Sequence, residues 1–275
     1  YDYLNDEFWE PSVKELPLPG PSANGIVAAA AHYYVVTGDG SGGANSAEGG
    51  VYQVDRNLNF VEKADELNIT DGIAITTDPT SESVVPGVSN SATIYTLDRD
   101  ASTYRVKKAT VSYDYTTDET SFTALSAHSE DGSALITPVN FERGDLTWAQ
   151  GPNAASNADS LIIAVGEGGI FEAGLAGGNF KAAADFGPCL STEFDASLGV
   201  LYYADPADGV RVLAMGQYAN GTALNEYDLV GNFVPPTGSV FPNTFFIKEI
   251  SLYRSRNIAL ATGDAGVYFL QRNKN

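Results

Sequence analysis

Short runs of alternating apolar and polar residues, separated by turns rich in Gly, Asp and Pro, recur along the chain. In "LYYADPADGVRVLA" (Leu201–Ala214) two such runs flank an acidic turn that contains glycine. Alternation with a period of two predicts half-buried β-strands, and a short Gly/Asp turn between two of them predicts a β-hairpin. No stretch holds apolar residues at helical spacing over several turns. The pattern predicts an all-β chain with hairpins at Tyr34–Asp55, Ile162–Gly174, Leu201–Ala214 and Ile258–Gln271.

The hairpins recur at a spacing typical of repeat architectures. The apolar residues that follow the turn glycines are separated by 119, 40 and 57 positions: Val51, Ile170, Val210 and Val267. A unit of about 40 residues is typical of a propeller blade. The first gap is close to three units, which predicts further copies at Ser91–Asp100 and Gly132–Phe141. In the first of these we align Ile94 with Val51.

Two more strand-like segments flank each hairpin, so that the repeating unit has four short strands. A segment such as Asn59–Leu67 or Asn179–Gly187 follows the hairpin, and the next unit then opens with a strand of small or apolar residues. Four short strands per unit, with turn residues between them, are typical of propellers. We expect first strands at Gly25–Ala31, Gly72–Asp78, Cys189–Asp195 and Phe245–Ser251.

The hairpin sequences resemble those of the β-propeller superfamily, most nearly the bacterial propellers built from weak "VYVADG…GV" units. The stretches that carry the resemblance are "LYYADPADGVRVLA" and "IALATGDAGVYFLQ". The resemblance implies a β-propeller of about six four-stranded blades, with five and seven as the alternatives. Because the likeness concerns hairpins, it implies a fold and no activity.

The two ends of the chain predict how the ring closes. The last unit stops soon after its third strand, and Val13–Leu16 resembles the missing fourth strand. We therefore expect residues 12–20 to complete the last blade, which would protect an open sheet edge. A free tail is the alternative. On this interpretation residues 1–275 form one propeller domain, in which residues 1–11 are an N-terminal extension.

Composition narrows the class of partner. Lys and Arg number 15 against 35 Asp and Glu, a formal charge of −20. Phosphate binding needs basic surface, so we expect no nucleic-acid partner. No apolar run approaches the roughly 20 residues of a membrane helix, so we expect no membrane span. The only cysteine, Cys189, stands among small and apolar residues, which favours a core role.

The chain begins at Tyr1 and its only methionine is Met215. We interpret this start as the result of removal of the encoded N-terminus by a signal peptidase, by another protease or by design of the expressed chain, and we favour removal of a targeting segment. The sequence therefore favours an extracellular, periplasmic or cell-surface location, and we expect a monomer.

Acidic turns are the first candidates for chemistry. In a four-stranded blade, the turn between the second and third strands lies on the same face as the link to the next blade, so carboxylates of several blades gather there. Oxygen ligands of this kind suit Ca²⁺. The alternative is turn formation alone, because Asp and Gly favour turns for conformational reasons. Our candidate metal ligands are Asp39, Asn45, Glu48, Asp71, Asp205 and Asp208.

Two ring side chains are candidates for ligand contact. An exposed Trp on the channel face suits a sugar or a peptide, and Trp148 in "DLTWAQGP" is the first choice. His32 in "AAAAHYYVV" is the second, with packing in the core or the channel as its alternative. Adjacent aromatic pairs such as Tyr202-Tyr203 are expected to pack, because neighbours on a strand point to opposite faces.

Catalytic motifs are missing from the sequence: it has no nucleophile elbow, no phosphate-binding loop and no zinc motif. We therefore favour a binding or scaffolding module for a protein or carbohydrate over an enzyme. The alternative is a calcium-dependent hydrolase or lactonase with its ion in the axial channel. There the ion would be held at the starts of first strands by Asn24, Asp71, Glu193 or Asp145. Apart from that Ca²⁺ we expect no cofactor.

Overall fold

The chain is all-β, as the alternating pattern predicts. The computed structural model describes residues 16–20, 22–39, 49–100, 103–125, 144–153, 158–166, 168–175, 181–182, 189, 191–205, 209–214, 229–233, 249–253, 257–261 and 267–271. Within these ranges the chain forms 19 β-strands and one 3-10 helix, Asp65–Leu67. No helix in them is long and apolar enough to cross a membrane.

Each sheet is an antiparallel meander whose strands follow one another in chain order. Sheet 1 contains β1 (Ala23–Ala29), β2 (His32–Thr37), β3 (Gly50–Val54) and β4 (Phe60–Lys63). Sheet 2 contains β5 (Gly72–Val85), β6 (Ser89–Asp100), β7 (Thr103–Asp114) and β8 (Glu119–Leu125). Sheet 3 contains β9 (Asp145–Asn153), β10 (Ala158–Ala164), β11 (Ile170–Gly174) and β12 (Lys181–Ala182).

The last two sheets repeat this plan. Sheet 4 contains β13 (Thr192–Asp195), β14 (Val200–Asp205), β15 (Gly209–Ala214) and β16 (Leu229–Phe233). The described part of sheet 5 contains β17 (Glu249–Tyr253), β18 (Asn257–Ala261) and β19 (Val267–Gln271). The four-stranded unit is therefore confirmed, and each of the four hairpins expected from the sequence lies on the second and third strands of a sheet.

Sheet 2 explains the long gap between the first two hairpins. Its strands β5, β6 and β7 have 14, 12 and 12 residues, whereas those of sheet 1 have four to seven. One sheet of long strands thus fills residues 72–125. Ile94 lies on the second strand, β6, so its alignment with Val51 on a third strand is wrong. The other expected copy, Gly132–Phe141, lies outside the described residues.

The first strands of successive sheets lie against one another in chain order. Strand β1 contacts β5, β5 contacts β9, β9 contacts β13, and β13 contacts β17. Inner strands surround the axis of a propeller in this order. The described residues form five sheets, and six blades remain a prediction. Closure of the ring also remains a prediction, because most of Val13–Leu16 lies outside the described ranges and residues 16–20 hold no strand.

Apolar side chains between neighbouring sheets form the core in two clusters. One lies between sheets 1 and 2 and includes Val36, Ile75 and Ile94. The other joins sheets 2, 3 and 4, and it includes the fully buried Cys189, which confirms the core role expected for it. Tyr202 and Tyr203 are both 1% exposed, so the two faces of β14 are both covered, as the aromatic pair predicts.

A strained two-residue turn joins β1 to β2. Ala29 pairs with His32, and the residues between them, Ala30 and Ala31, have φ angles of 42° and 68°. Such a tight hairpin turn normally uses Asn and Gly, because a Cβ in the left-handed region costs about 1–2 kcal/mol per residue. The packing around the turn must therefore stabilise a conformation that two alanines disfavour.

We predict that Ala31→Gly stabilises the protein by about 1 kcal/mol, because glycine adopts a positive φ without steric strain. The matched control is Ala28→Gly on the neighbouring strand β1, where the same change is expected to destabilise by roughly 0.5–1 kcal/mol. Urea denaturation of the two variants beside the wild type measures both effects. Equal destabilisation by both substitutions would show that the turn is not strained.

Candidate functional site

Buried hydrogen bonds join the first strands of sheets 3 and 4. Asp145, at the start of β9, accepts hydrogen bonds at its Oδ2 from the Ser191 hydroxyl and the Thr192 N–H, both at 2.8 Å. Its Oδ1 accepts one from the N–H of Leu146 at 2.8 Å. Two residues further along, the Thr147 hydroxyl donates to the Thr192 carbonyl at 2.8 Å. These bonds fix where the first residues of β13 lie relative to β9.

A second acid, Glu193, follows at once on β13. It is half-buried, and burial together with the nearby carboxylates of Asp145 and Asp195 raises its pKa to about 8. Burial also raises the pKa of Asp145, although its three hydrogen bonds oppose that shift. At neutral pH the Glu193 carboxyl is therefore largely protonated, and it can donate a hydrogen bond or a proton.

Asp195 completes a group of three acids that we call the acidic recess: Asp145, Glu193 and Asp195. Its Oδ1 accepts hydrogen bonds from the Ser197 N–H at 2.9 Å and the Ser197 hydroxyl at 2.5 Å. Its Oδ2 is buried and has no hydrogen-bond partner among the described residues. Because Glu193 and Asp195 stand two apart on one strand, their side chains share a face. The proton that Glu193 keeps at neutral pH therefore limits the negative charge of this group.

Asn24 links the first strands of sheets 1 and 2 in a comparable way. Its Nδ2 donates to the carbonyl of Gly38 at 3.0 Å and to that of Gly72 at 2.7 Å. Strand β5 also approaches β2 closely here, since a Cβ on Gly72 would lie 2.2 Å from a methyl group of Val36. The amide nitrogen of Asn24 is therefore committed to holding β1 beside β5.

Asp71 lies in the link before β5 and is fully buried. Its N–H donates to Oδ1 of Asp98 at 2.8 Å, and Oδ2 of Asp98 forms a 2.8 Å salt bridge with Lys107. Burial raises the pKa of Asp98, and Lys107 opposes the shift. This arrangement anchors the link to sheet 2, which is a structural role.

The remaining predicted metal ligands do not form a cluster in the part of the chain that the structure describes. Asp39 is exposed beyond β2, and only the backbone of Asp205 is described, at the end of β14. Asn45, Glu48 and Asp208 lie outside the described residues. Within the described ranges no three His, Cys, Asp or Glu side chains lie close enough together to hold a metal ion.

Trp148 is buried, contrary to the expectation of an exposed aromatic surface. It is 7% exposed on β9 and packs edge-to-face against Phe194 of β13, with ring centroids 5.9 Å apart. The reason is that the first strands β9 and β13 lie in close contact, so the Trp148 ring is enclosed between sheets 3 and 4. Its indole Nε1 has no hydrogen-bond partner in the described ranges.

His32 is half-buried at the start of β2 and lines a cavity of about 400 Å³. Its ring lies edge-on to Tyr113 of β7, with centroids 4.8 Å apart, and its Nδ1 is 3.4 Å from the Ala30 carbonyl. The structure therefore places the two predicted ligand residues apart: Trp148 in the contact between sheets 3 and 4, and His32 at the contact between sheets 1 and 2.

Two acids of the recess, Glu193 and Asp145, were predicted from the sequence as possible ion ligands at the starts of first strands, whereas Asp195 was missed. The stretch "STEFD" alternates Thr, Phe and two acids, so Glu193 and Asp195 had to share one face of a strand. Their neighbour Asp145 stands 48 positions before Glu193, and only the contact of the first strands brings it there. Asp98 and Lys107 were missed because their partners depend on the long strands of sheet 2.

No family model and no curated protein matches the chain. Solved structures with similar folds include a humanized mutant of the Chaetomium thermophilum Polycomb Repressive Complex 2 bound to the inhibitor GSK126. It is 12% identical with a TM-score of 0.47, and the match covers 74% of this chain and 38% of that one. This chain therefore spans well under half the length of that first match.

Two further structures are similar to the chain over most of its length. The computationally designed Ika8 protein is 8% identical with a TM-score of 0.42, covering 93% of this chain and 73% of that one. XC5397 from Xanthomonas campestris, a gluconolactonase, is 11% identical with a TM-score of 0.43, covering 87% and 68%. At these identities and TM-scores the likenesses carry no argument about activity.

The acidic recess predicts that stability falls as pH rises from about 4.5 to about 8. In this window the folded protein keeps a proton on Glu193 that the unfolded chain has released, so each increase in pH favours unfolding. Glu193→Gln, which keeps the shape without the titration, is expected to flatten this part of the curve.

The measurement is the free energy of unfolding in urea at pH 5, 6, 7 and 8 for the wild type and the variant. The exposed acid Glu119, on β8, gives the control Glu119→Gln, which should follow the wild-type curve. An unchanged slope in Glu193→Gln would rule out Glu193 as the buried acid of the recess.

Proposed function

We propose that the chain is a β-propeller binding module that acts outside the cell or on its surface, and that its ligand presents a positive group to the acidic recess. The order of the contacting first strands supports the propeller. Closure of the ring by residues 12–20, a blade number of about six and a monomeric state are parts of this proposal.

The observation that carries the proposal is the half-buried carboxyl of Glu193, which lies near the carboxylates of Asp145 and Asp195. A Lys or Arg side chain of a partner protein, placed at Glu193, would favour the ionised carboxylate and pair with it. The net charge of −20 also favours a basic partner over an acidic one, because long-range attraction assists its approach. The ligand is therefore a protein with an exposed basic segment.

Binding of a cation in the recess is coupled to the loss of a proton. The pKa of about 8 for Glu193 means that the acid must ionise before it can pair with a positive charge. Affinity should therefore rise with pH until Glu193 is ionised, by up to about tenfold for each pH unit below that pKa. This pH dependence distinguishes binding at the recess from non-specific attraction of a cation to the acidic protein surface.

A calcium-dependent hydrolase is the second candidate, favoured by one observation: a protonated carboxyl at a first-strand start could serve as a general acid. The described residues do not fit a calcium site, because both oxygens of Asp145 accept hydrogen bonds and no three ligand side chains cluster. The candidate ligands Asn45, Glu48 and Asp208 lie outside those residues.

We predict that a tetra-arginine peptide binds the wild type more tightly at pH 8 than at pH 6, whereas Glu193→Gln binds it weakly and with little pH dependence. Isothermal titration calorimetry at both pH values measures this, with Glu119→Gln as the control for a lost surface charge. Equal pH dependence in Glu193→Gln, or no binding at pH 8, would contradict the proposal. Chelator-sensitive hydrolysis of δ-valerolactone in the same preparations would favour the second candidate instead.

A further inference from the structure

A cavity of about 400 Å³ lies between the β1–β2 turn of sheet 1 and the long hairpin of sheet 2. We call it the hairpin cavity. Among the residues that line it, Ala28 and His32 come from sheet 1, Arg56 from the loop after β3, and Glu82 and Asn90 from β5 and β6. It is remote in sequence from the acidic recess and shares none of its residues.

The cavity exists because the strands of sheet 2 are long. The register from Ser83 to Val85 and from Ser89 to Ser91 continues the β5–β6 hairpin past the point where the shorter strands of sheet 1 turn. Two contacts hold sheet 1 against this extension. His32 lies edge-on to Tyr113, and Gln53 donates to the Thr120 hydroxyl at 2.8 Å. The walls are therefore strands and a tight turn, which position side chains well.

The strained turn forms one side of the hairpin cavity. Ala30 and Ala31 line it with positive φ angles, and Nε of Arg56 donates to the carbonyl of Ala31 at 3.0 Å. Strain of this kind persists only where surrounding contacts maintain it, and it concentrates at ligand sites. Here the Arg56 contact both fixes the turn and holds the guanidinium at the cavity.

An unsatisfied polar group also lines the cavity. Asn90 is 6% exposed, and its Oδ1 is buried without a hydrogen-bond partner among the described residues. A buried amide oxygen that lacks a partner costs about 1–3 kcal/mol. Because this oxygen has almost no exposed surface, a ligand hydroxyl could donate to it only after rotation of the amide about its last bond.

We propose that the hairpin cavity binds a neutral saccharide of one or two rings. The cavity presents hydrogen-bond donors on Arg56 and acceptors on the carboxylate of Glu82, and a sugar hydroxyl both donates and accepts. Arg56 and Glu82 carry opposite charges, so the site as a whole favours a neutral ligand over an ion. The imidazole of His32 adds a flat ring of the kind that packs against sugar rings.

The proposal goes beyond the proposed function, because a second ligand site at the hairpin cavity stands whether or not the acidic recess binds a basic partner. The test is saturation-transfer NMR with glucose, galactose, mannose, N-acetylglucosamine, maltose and cellobiose, followed by titration of any sugar that binds. We expect at least one to bind the wild-type chain. Ala28→Trp should abolish that binding by filling the cavity, and Glu82→Gln should weaken it about tenfold, as expected for one charge-assisted hydrogen bond.

Two matched controls separate a lost site from a damaged fold. Ile26 lies two residues before Ala28 on the same strand and is exposed outside the cavity, so Ile26→Trp should bind the sugar like the wild type. Glu119→Gln controls for the charge removed by Glu82→Gln. No binding of any of the six sugars, or equal binding by Ala28→Trp and the wild type, would overturn the proposal.

Discussion

Contact between the first strands of neighbouring sheets is the interaction on which the rest of the structure depends. Each sheet is a simple meander of strands that are successive in the chain, and the contacts of the first strands place each sheet beside the next. Polar groups make several of them: Asn24 joins β1 to β5, while Asp145 and Thr147 join β9 to β13. The apolar core then fills the spaces between sheets whose positions the inner strands have fixed.

The contact between the first strands β9 and β13 also brings the side chains of the acidic recess near one another. Asp145 lies beside β13 and accepts hydrogen bonds from Ser191 and Thr192. The pKa of Glu193 is raised mainly by its own burial, and the nearby carboxylates of Asp145 and Asp195 add to that shift. The hairpin cavity has a different origin, because it follows from long strands in sheet 2 that overreach the short ones of sheet 1. The two proposed ligand sites therefore have different origins. The acidic recess follows from the contact of first strands, and the hairpin cavity follows from the unequal strand lengths of sheets 1 and 2.

The sequence predicted the local structure well, because strands and hairpins depend on neighbouring residues. Alternation and Gly/Asp turns located the four hairpins and the four-stranded unit. The prediction from the sequence failed where the strand length changed. Strands β5–β7 are long, so a fixed repeat length placed Ile94 on the wrong strand. The candidate site was only partly predictable, because Glu193 and Asp145 meet through strand contact, and the burial of Trp148 depends on a neighbouring sheet.

A double-mutant cycle between Asp145 and Ser191 tests the contact of the first strands most directly. If β9 and β13 lie side by side, Asp145→Ala and Ser191→Ala should be coupled by about 1–2 kcal/mol in the free energy of unfolding. Ser160→Ala supplies the comparison, because its hydroxyl binds Glu172 on the neighbouring strand and not Asp145. Additive effects for Asp145 and Ser191, within about 0.3–0.5 kcal/mol, would contradict this arrangement of the sheets.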